Sequence, residues 1–232
     1  MNIPNRLTMA RMFLIPVYVV LVFLEVGVFA YFNDFLAVLV FGAAAFTDML
    51  DGKLARKWNM VTNFGKLFDS AADKLLCGSA LILLIYVFAV VCAPLFSVTA
   101  SLALLIALSV MVVLIMCREL FMTAFRSVAA SRNVIIAADM PGKIKAASQM
   151  VGLVVIMVAP DLWQIGVAQA IDGLIIAAQA FFIAGFALIA LSAVMAVISC
   201  VMYIVKYPGV LSEDEPCAVD KTDETDGSGD TQ

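Results

Sequence analysis

The chain has 232 residues, of which 64% are hydrophobic and 14% are charged, with a formal net charge of -4 and a mean hydropathy of +1.07. A water-soluble domain of this length needs more polar surface, so the composition excludes that class and predicts an all-α membrane protein. Histidine is absent. Any acid–base chemistry therefore depends on carboxylates or lysines.

The N-terminal segment NIPNRLTMAR has apolar residues three and four positions apart, and Pro4 suits a helix start. This pattern predicts an interfacial helix that lies along the membrane surface. The apolar run that follows, at about residues 12–32, comes after two arginines, as in a signal peptide. It contains Glu25 and lacks a clear small-residue cleavage site, so we expect a retained first span.

Six apolar segments approach the roughly 20 residues that a membrane-spanning helix requires. They lie at about residues 12–32, 35–55, 67–92, 98–126, 142–160 and 172–205. An even number of spans places both termini on one side of the membrane. All fourteen basic residues lie at or near one set of span ends, and the opposite connections contain none. By the positive-inside rule, that side and both termini are predicted to be cytoplasmic.

Four aspartates flank the connection between the second and third spans, in FTDMLDGKLARKWNMVTNFGKLFDSAADKL, residues 46–75. Asp48 and Asp51 are three residues apart, and Asp69 and Asp73 are four apart, so each pair shares a helix face. The connection brings both pairs to one membrane depth. A set of carboxylates without His or Cys favours hard cations, and shared aspartates could hold two Mg²⁺ or Mn²⁺ ions.

The residues between the two pairs suit a phosphate-bearing ligand. Gly52 leaves room for a ligand to approach the backbone, and Arg56 offers a forked donor for phosphate. Thr62 and Gly65 could contact a sugar or a base. Because Mg²⁺ accepts phosphate oxygens as ligands, the stretch predicts a membrane-embedded diphosphate enzyme. The alternative, that the aspartates cap helices or pair with lysines, fits four carboxylates at these spacings poorly.

A second group of basic residues lies further along the chain, in CRELFMTAFRSVAASR and DMPGKIKAASQM. Arg118 and Arg126 are about 80° apart around a helix and roughly 12 Å apart along it. Lys143 and Lys145 open the fifth span and point about 200° apart, so we expect one of them to reach a pocket. Together they predict a site for an acceptor phosphate. Ordinary cytoplasmic anchoring is the alternative, and Glu119 either orients Arg118 or lies at the interface.

The sequence changes character near its end. From Ser212 onward it holds eight of the eighteen acidic residues and one lysine, which predicts a disordered acidic cytoplasmic tail over residues 212–232. Residues 1–211, the predicted membrane domain, carry a net charge of +3. That charge suits membrane lipids with anionic headgroups or a phosphate-bearing substrate, and no nucleic-acid partner is expected.

The chain resembles the CDP-alcohol phosphatidyltransferases, because it matches every fixed position of their signature, Asp48-x2-Asp51-Gly52-x2-Ala55-Arg56-x8-Gly65-x3-Asp69-x3-Asp73. The resemblance implies six transmembrane helices preceded by a surface helix, two Mg²⁺ ions per site (Mn²⁺ is the alternative metal), a homodimer and a bacterial-type inner membrane. It implies that an acceptor hydroxyl attacks CDP-diacylglycerol and releases CMP.

The resemblance also implies roles for individual residues. Asp73 would be the general base and would lie near a metal. The metal ligands would be Asp48, Asp51, Asp69 and Asp73. The contacts with CDP-diacylglycerol would come from Asn5, Thr8, Gly52, Arg56, Thr62 and Gly65. The residues expected at the acceptor phosphate, from their charge and spacing rather than from the resemblance, stay Arg118, Arg126, Lys143 and Lys145.

Three flanking segments, NIPNRLTMAR, CREL to FRS and GKIKAASQM, resemble the phosphatidylglycerophosphate synthases within this family. They imply glycerol 3-phosphate as the acceptor. Cardiolipin synthases and phosphatidylinositol phosphate synthases of the same family are the alternatives. A divalent-cation transporter is disfavoured because its ligands would lie near the bilayer midplane rather than at helix ends. An inactive scaffold is disfavoured because no fixed position of the signature is lost.

Overall fold

The computed structural model describes the backbone of residues 3–27, 36–58, 63–131 and 140–207, and their side chains except those of 3–8, 25–27, 48–58, 63–70 and 94. These ranges contain helices and no strand, which confirms the all-α class. The helices are α1 (Ile3–Gly27), α2 (Leu36–Trp58), α3 (Asn63–Val87), α4 (Val98–Ser131), α5 (Met140–Gln169) and α6 (Asp172–Lys206). A π-helical turn, Phe88–Cys92, and a 3₁₀ turn, Ala93–Leu95, follow α3.

Four stretches of the described helices are long and apolar enough to cross a membrane, so the chain is an integral membrane protein. They are Ala71–Cys92, Val98–Ser131, Met140–Gln169 and Asp172–Lys206. Two shorter apolar stretches, Met9–Leu24 in α1 and Leu36–Thr47 in α2, correspond to the first two predicted spans. The described residues therefore support four of the six predicted spans and do not confirm the full count.

The N-terminal segment differs from its prediction, because it is not a separate interfacial helix. α1 runs without interruption from Ile3 to Gly27 and joins that segment to the predicted first span. Pro4 lies in the first turn of α1, as expected for a helix start, and Pro16 lies inside the apolar part without ending the helix. Arg11, at the expected junction, is fully buried.

Some helices extend beyond the predicted spans into the polar sequence that follows them. α4 continues to Ser131 rather than to about residue 126. α5 continues to Gln169 and includes Pro160, where the predicted span ends. Apolar runs mark the part of a helix that lies in hydrocarbon, whereas the backbone hydrogen bonds continue as long as no residue breaks them. Pro160 is buried within α5.

α5 and α6 form an antiparallel hairpin that packs more closely than the other pairs. A Cβ at Gly185 would lie 2.5 Å from the Cβ of Ile156, so only glycine permits this approach. Between the helices, Ala170 adopts a φ of 53°, and the amide of Ile171 donates to the carbonyl of Gly166 at 2.9 Å. These features close α5 in the manner of a Schellman turn.

One hydrophobic core, with members such as Phe41, Leu81, Ile156 and Phe182, joins the helices. Successive helices alternate in direction through this core. The starts of α1, α3 and α5 and the ends of α2, α4 and α6 therefore meet at one end of the bundle. We call it the basic end, since the lysines and arginines of the described side chains lie towards it. The other end is called the opposite end.

Candidate functional site

A cavity lies between α3, α4 and α5 at the basic end. We call it the basic-end cavity. Small, apolar and thiol side chains form much of its wall, including Cys77, Gly78, Met116 and Met150. Its polar lining consists of Asp73, Lys74, Glu119, Lys145 and Gln149. Two carboxylates, two ammonium groups and one amide therefore surround a single space.

Asp73 is held on α3, where the helix faces α4 and α5. The thiol of Cys77, one turn later, lies 3.9 Å from Asp73 Oδ1 and donates to it. At Gly78 a Cβ would come within 3.1 Å of Met116 Cε, so glycine lets α3 approach α4 beside the cavity. The local sequence thus places a carboxylate at the wall of a confined space.

Glu119 joins two cations at the boundary between α4 and α5. Its Oε1 accepts a hydrogen bond from Lys145 Nζ, and Arg118 Nη1 lies 3.4 Å from the same oxygen. The side chain of Lys145 is 5% exposed, that of Arg118 is 10% exposed and that of Glu119 is 25% exposed. Because a buried charge is costly unless it is paired, Glu119 stabilises both cations in these positions.

Two serines of α6 form hydrogen bonds with this cluster. Arg118 Nη2 donates to Ser199 Oγ at 2.8 Å. The carbonyl oxygen of Lys145 accepts hydrogen bonds from Ser148 Oγ at 3.1 Å and from Ser192 Oγ at 3.2 Å. The second turn of α5 is therefore attached to α6 through the backbone, which limits the positions that the Lys145 side chain can reach.

The four residues predicted for the acceptor phosphate do not all lie together. Lys145 lines the cavity, whereas Lys143 is exposed, as expected for two lysines that diverge around the helix. Arg118 is absent from the described lining and instead contacts Glu119 and Ser199. Arg126 is exposed on α4. The structure thus brings Lys145 to the cavity, whereas Arg118 contacts Glu119 and is not part of the described lining.

Most of the predicted metal and donor residues lie outside the described side chains. Asp48, Asp51, Gly52 and Arg56 belong to α2, Gly65 and Asp69 to α3, and Asn5 and Thr8 to α1, where the structure describes the backbone alone. Thr62 falls outside the described residues altogether. The described side chains contain no group of three or more potential metal ligands. Of the four aspartates, Asp73 has its carboxylate described, and it lines the cavity.

Two kinds of residue were missed by the sequence reasoning. Gln149 lines the basic-end cavity one helical turn after Lys145, and this four-residue spacing is a signal that could have revealed it. Ser192 and Ser199 on α6 contact the cluster although their helix reads as a uniform apolar span. A polar residue within such a span usually has a partner on another helix, but the sequence does not show which one.

A second cavity lies between α1, α2, α3 and α5 at the opposite end. We call it the opposite-end cavity. Its wall is largely aliphatic, with Tyr18, Asp161 and Gln164 as its polar members. No lysine or arginine belongs to the part of this wall that the structure describes.

A family model for CDP-alcohol phosphatidyltransferase matches residues 1–205, which includes all six helices except the last residue of α6. The chain belongs to this family. The resemblance drawn from the aspartate signature is therefore confirmed. Relatives of this phosphatidyltransferase are similar to it over about two thirds of the chain.

One relative is the CDP-diacylglycerol–glycerol-3-phosphate 3-phosphatidyltransferase of Bacillus subtilis (strain 168), which is 37% identical over 160 residues, 66% of this chain and 74% of the relative. The protein of the same name from Escherichia coli (strain K12) is 35% identical over 164 residues, 70% of this chain and 80% of the relative. The protein of that name from Shigella flexneri serotype 5b (strain 8401) has the same identity and coverage.

Proposed function

We propose that this phosphatidyltransferase transfers the phosphatidyl group of CDP-diacylglycerol to a hydroxyl of glycerol 3-phosphate, releasing CMP and forming phosphatidylglycerol phosphate. The names of the Bacillus and Escherichia relatives support this choice of donor and acceptor. The observation that carries it is the meeting of Asp73 and Lys145 in one cavity. A carboxylate can take a hydroxyl proton, and an ammonium group can bind the phosphate of the same acceptor.

The acceptor phosphate binds to Lys145, with Lys74 on the facing helix as a second cation. Lys145 Nζ carries three donors, so its bond to Glu119 leaves others for the phosphate. Arg118 acts through Glu119, whose position it fixes together with Ser199. Arg126 and Lys143, both exposed, raise the local concentration of the anionic acceptor by long-range attraction.

Asp73 acts as the general base. It accepts the proton of the acceptor hydroxyl while that oxygen forms a bond to the phosphorus that bears the diacylglycerol. The bond from this phosphorus to the CMP oxygen breaks, and CMP leaves with the electron pair. A carboxylate beside cations is a weak base, so the proton moves as the new bond forms rather than before it.

The donor set of the signature fits a hard divalent cation. Asp48, Asp51, Asp69 and Asp73 offer oxygen ligands alone, and the helices that carry them, α2 and α3, contact each other. These aspartates would hold two Mg²⁺ ions, which supply charge stabilisation for the diphosphate when bound. The contacts with CDP-diacylglycerol would come from Asn5, Thr8, Gly52, Arg56, Thr62 and Gly65.

All six helices cross the plasma membrane of a bacterial-type cell in this proposal, with the basic end in the cytoplasm. The distribution of lysine and arginine supports this orientation through the positive-inside rule. In α1 and α2 the apolar stretches Met9–Leu24 and Leu36–Thr47 would lie in the bilayer, and the polar remainder of each helix would extend from it at the basic end. The homodimer and the acidic tail, residues 212–232, stay predictions, and the tail lies outside the described residues.

The acceptor is tested with the purified full-length protein, CDP-diacylglycerol and Mg²⁺, by measuring CMP release with each candidate alcohol. We expect release with glycerol 3-phosphate and a lipid product that carries its phosphate. Release with phosphatidylglycerol but not with glycerol 3-phosphate would instead identify a cardiolipin synthase. Release with inositol phosphate alone would identify a phosphatidylinositol phosphate synthase.

A further inference from the structure

Gln149 has a buried amide group, and the proposed reaction assigns no role to it. It is 3% exposed, it lines the basic-end cavity, and its Oε1 has no hydrogen-bond partner in the described structure. The large majority of buried side-chain polar atoms in proteins are hydrogen-bonded, and leaving one unsatisfied costs about 1–3 kcal/mol. The side chain that carries this oxygen lines the basic-end cavity, so a ligand group in the cavity would satisfy it.

The position of Gln149 defines which part of a ligand it meets. It follows Lys145 by four residues, so both share one face of α5 and are about 6 Å apart along the helix axis. Asp73 lines the same cavity from α3. A small ligand whose phosphate binds Lys145 therefore extends along α5 towards Gln149, with Asp73 at its side.

The unsatisfied atom, Gln149 Oε1, also indicates which group of the ligand it binds. A carbonyl oxygen accepts hydrogen bonds and cannot donate them, so it suits a hydroxyl rather than a fully ionised phosphate. Glycerol 3-phosphate has two hydroxyls, one of which attacks the donor and is paired with Asp73. The other hydroxyl, on the central carbon, has no partner among the residues assigned so far.

We propose that Gln149 is a specificity-determining residue whose Oε1 accepts a hydrogen bond from the non-reacting hydroxyl of the acceptor. This inference rests on the proposed function, because it takes the basic-end cavity as the acceptor site. Gln149 thereby selects phosphorylated diols over phosphorylated alcohols with a single hydroxyl. A site that pairs with a substrate hydroxyl discriminates against an analogue without it, since its own polar group is then left unsatisfied.

The test compares two acceptors in the full-length enzyme, glycerol 3-phosphate and 3-hydroxypropyl phosphate. The second has the same phosphate and a primary hydroxyl but lacks the central one. We expect wild-type kcat/KM for CMP release to favour glycerol 3-phosphate by roughly ten- to a hundredfold. Gln149→Met, which removes the amide at similar length, should lower kcat/KM for glycerol 3-phosphate alone and so abolish the preference.

Two further variants and one control accompany this measurement. Gln149→Leu removes the amide with a different shape, so the preference can be read even if the methionine variant folds poorly. Gln149→Glu retains an acceptor atom and should keep the preference for glycerol 3-phosphate. Gln164→Met is the matched control, because Gln164 lies on the same helix but lines the opposite-end cavity. It should keep the wild-type preference.

The outcomes separate the inference from the proposed function. An unchanged preference in Gln149→Met and Gln149→Leu, or equal losses with both acceptors, would overturn the role of Gln149 and leave the activity in place. The same holds if the wild type shows no preference, which would mean that water satisfies Oε1. A wild-type enzyme that uses neither acceptor, but releases CMP with another alcohol, would refute the proposed function itself.

Discussion

The two cavities of the bundle share α5, yet they differ in the charges that line them. Each contains a carboxylate and a glutamine: Asp73 and Gln149 at the basic end, Asp161 and Gln164 at the opposite end. Lysines line the first, whereas no cation belongs to the described wall of the second. A carboxylate and an amide in a cavity therefore do not by themselves identify a site for a phosphorylated alcohol.

Contacts between the helices stabilise the cations at the basic end. Lys145 is nearly excluded from solvent, and its charge is stabilised by Glu119. Arg118 and two serines of α6 complete the arrangement. Such a cluster positions charge in advance, so an entering phosphate finds its partner without rearrangement of the helices. The comparison predicts that matched substitutions in the two cavities have unequal consequences.

The largest difference is expected between the two aspartates. Asp73→Asn removes the general base and should lower the rate of CMP release with glycerol 3-phosphate by about 10²–10⁴-fold. Binding of CDP-diacylglycerol, measured by thermal shift of the purified variant, should persist. Asp161→Asn makes the same chemical change in the opposite-end cavity and should retain most of the activity. Near-normal turnover by Asp73→Asn would remove Asp73 as the base.

A smaller effect is expected at Lys145. Lys145→Met should raise the KM for glycerol 3-phosphate by about 10- to 100-fold, the size expected for a lost hydrogen bond to a charged group, and should change kcat less. Lys206→Met is the control, because Lys206 is exposed at the end of α6 and lies outside both cavities. Steady-state kinetics at saturating CDP-diacylglycerol give the comparison. An unchanged KM would assign Lys145 to a structural role.

The smallest effect is expected at Glu119 and concerns stability. Glu119→Gln leaves Lys145 buried without a carboxylate, and the partial exposure of Glu119 limits the cost to about 1 kcal/mol. The midpoint of thermal unfolding should fall by about 2–4 °C. The double variant Glu119→Gln/Lys145→Met buries no such ammonium group and should recover part of this loss. A double variant less stable than either single one would contradict the pairing.

The sequence was sufficient for the family and for the helices. Apolar runs located each helix, because a bilayer requires about twenty apolar residues and a fully bonded backbone. It was less informative about helix ends and about the predicted surface helix. α1 continues without a break across the expected junction. Hydropathy shows which residues suit a lipid environment, but it does not show where the backbone hydrogen bonds of a helix stop. Pro160 likewise lies inside α5 although the predicted span ends there.

The site was predictable only where residues lie close together along the chain. Asp73 and the divergent lysines followed from spacing around a helix. The contact of Arg118 with Ser199 joins residues 81 positions apart, and that of Lys145 with Glu119 joins residues 26 apart. Helical periodicity contains no information about such pairs. Gln149 was visible in the sequence, but its unsatisfied oxygen became apparent only with the packing around it.

The presence of the acceptor in the basic-end cavity can be measured directly through Cys77, which lines that cavity beside Asp73. In a variant whose other four cysteines are replaced by alanine, Cys77 reacts with methyl methanethiosulfonate. We predict that glycerol 3-phosphate at ten times its Kd slows this reaction by about tenfold, and that glycerol does not. An unchanged rate at saturating glycerol 3-phosphate, in protein that turns it over, would contradict the assignment of this cavity.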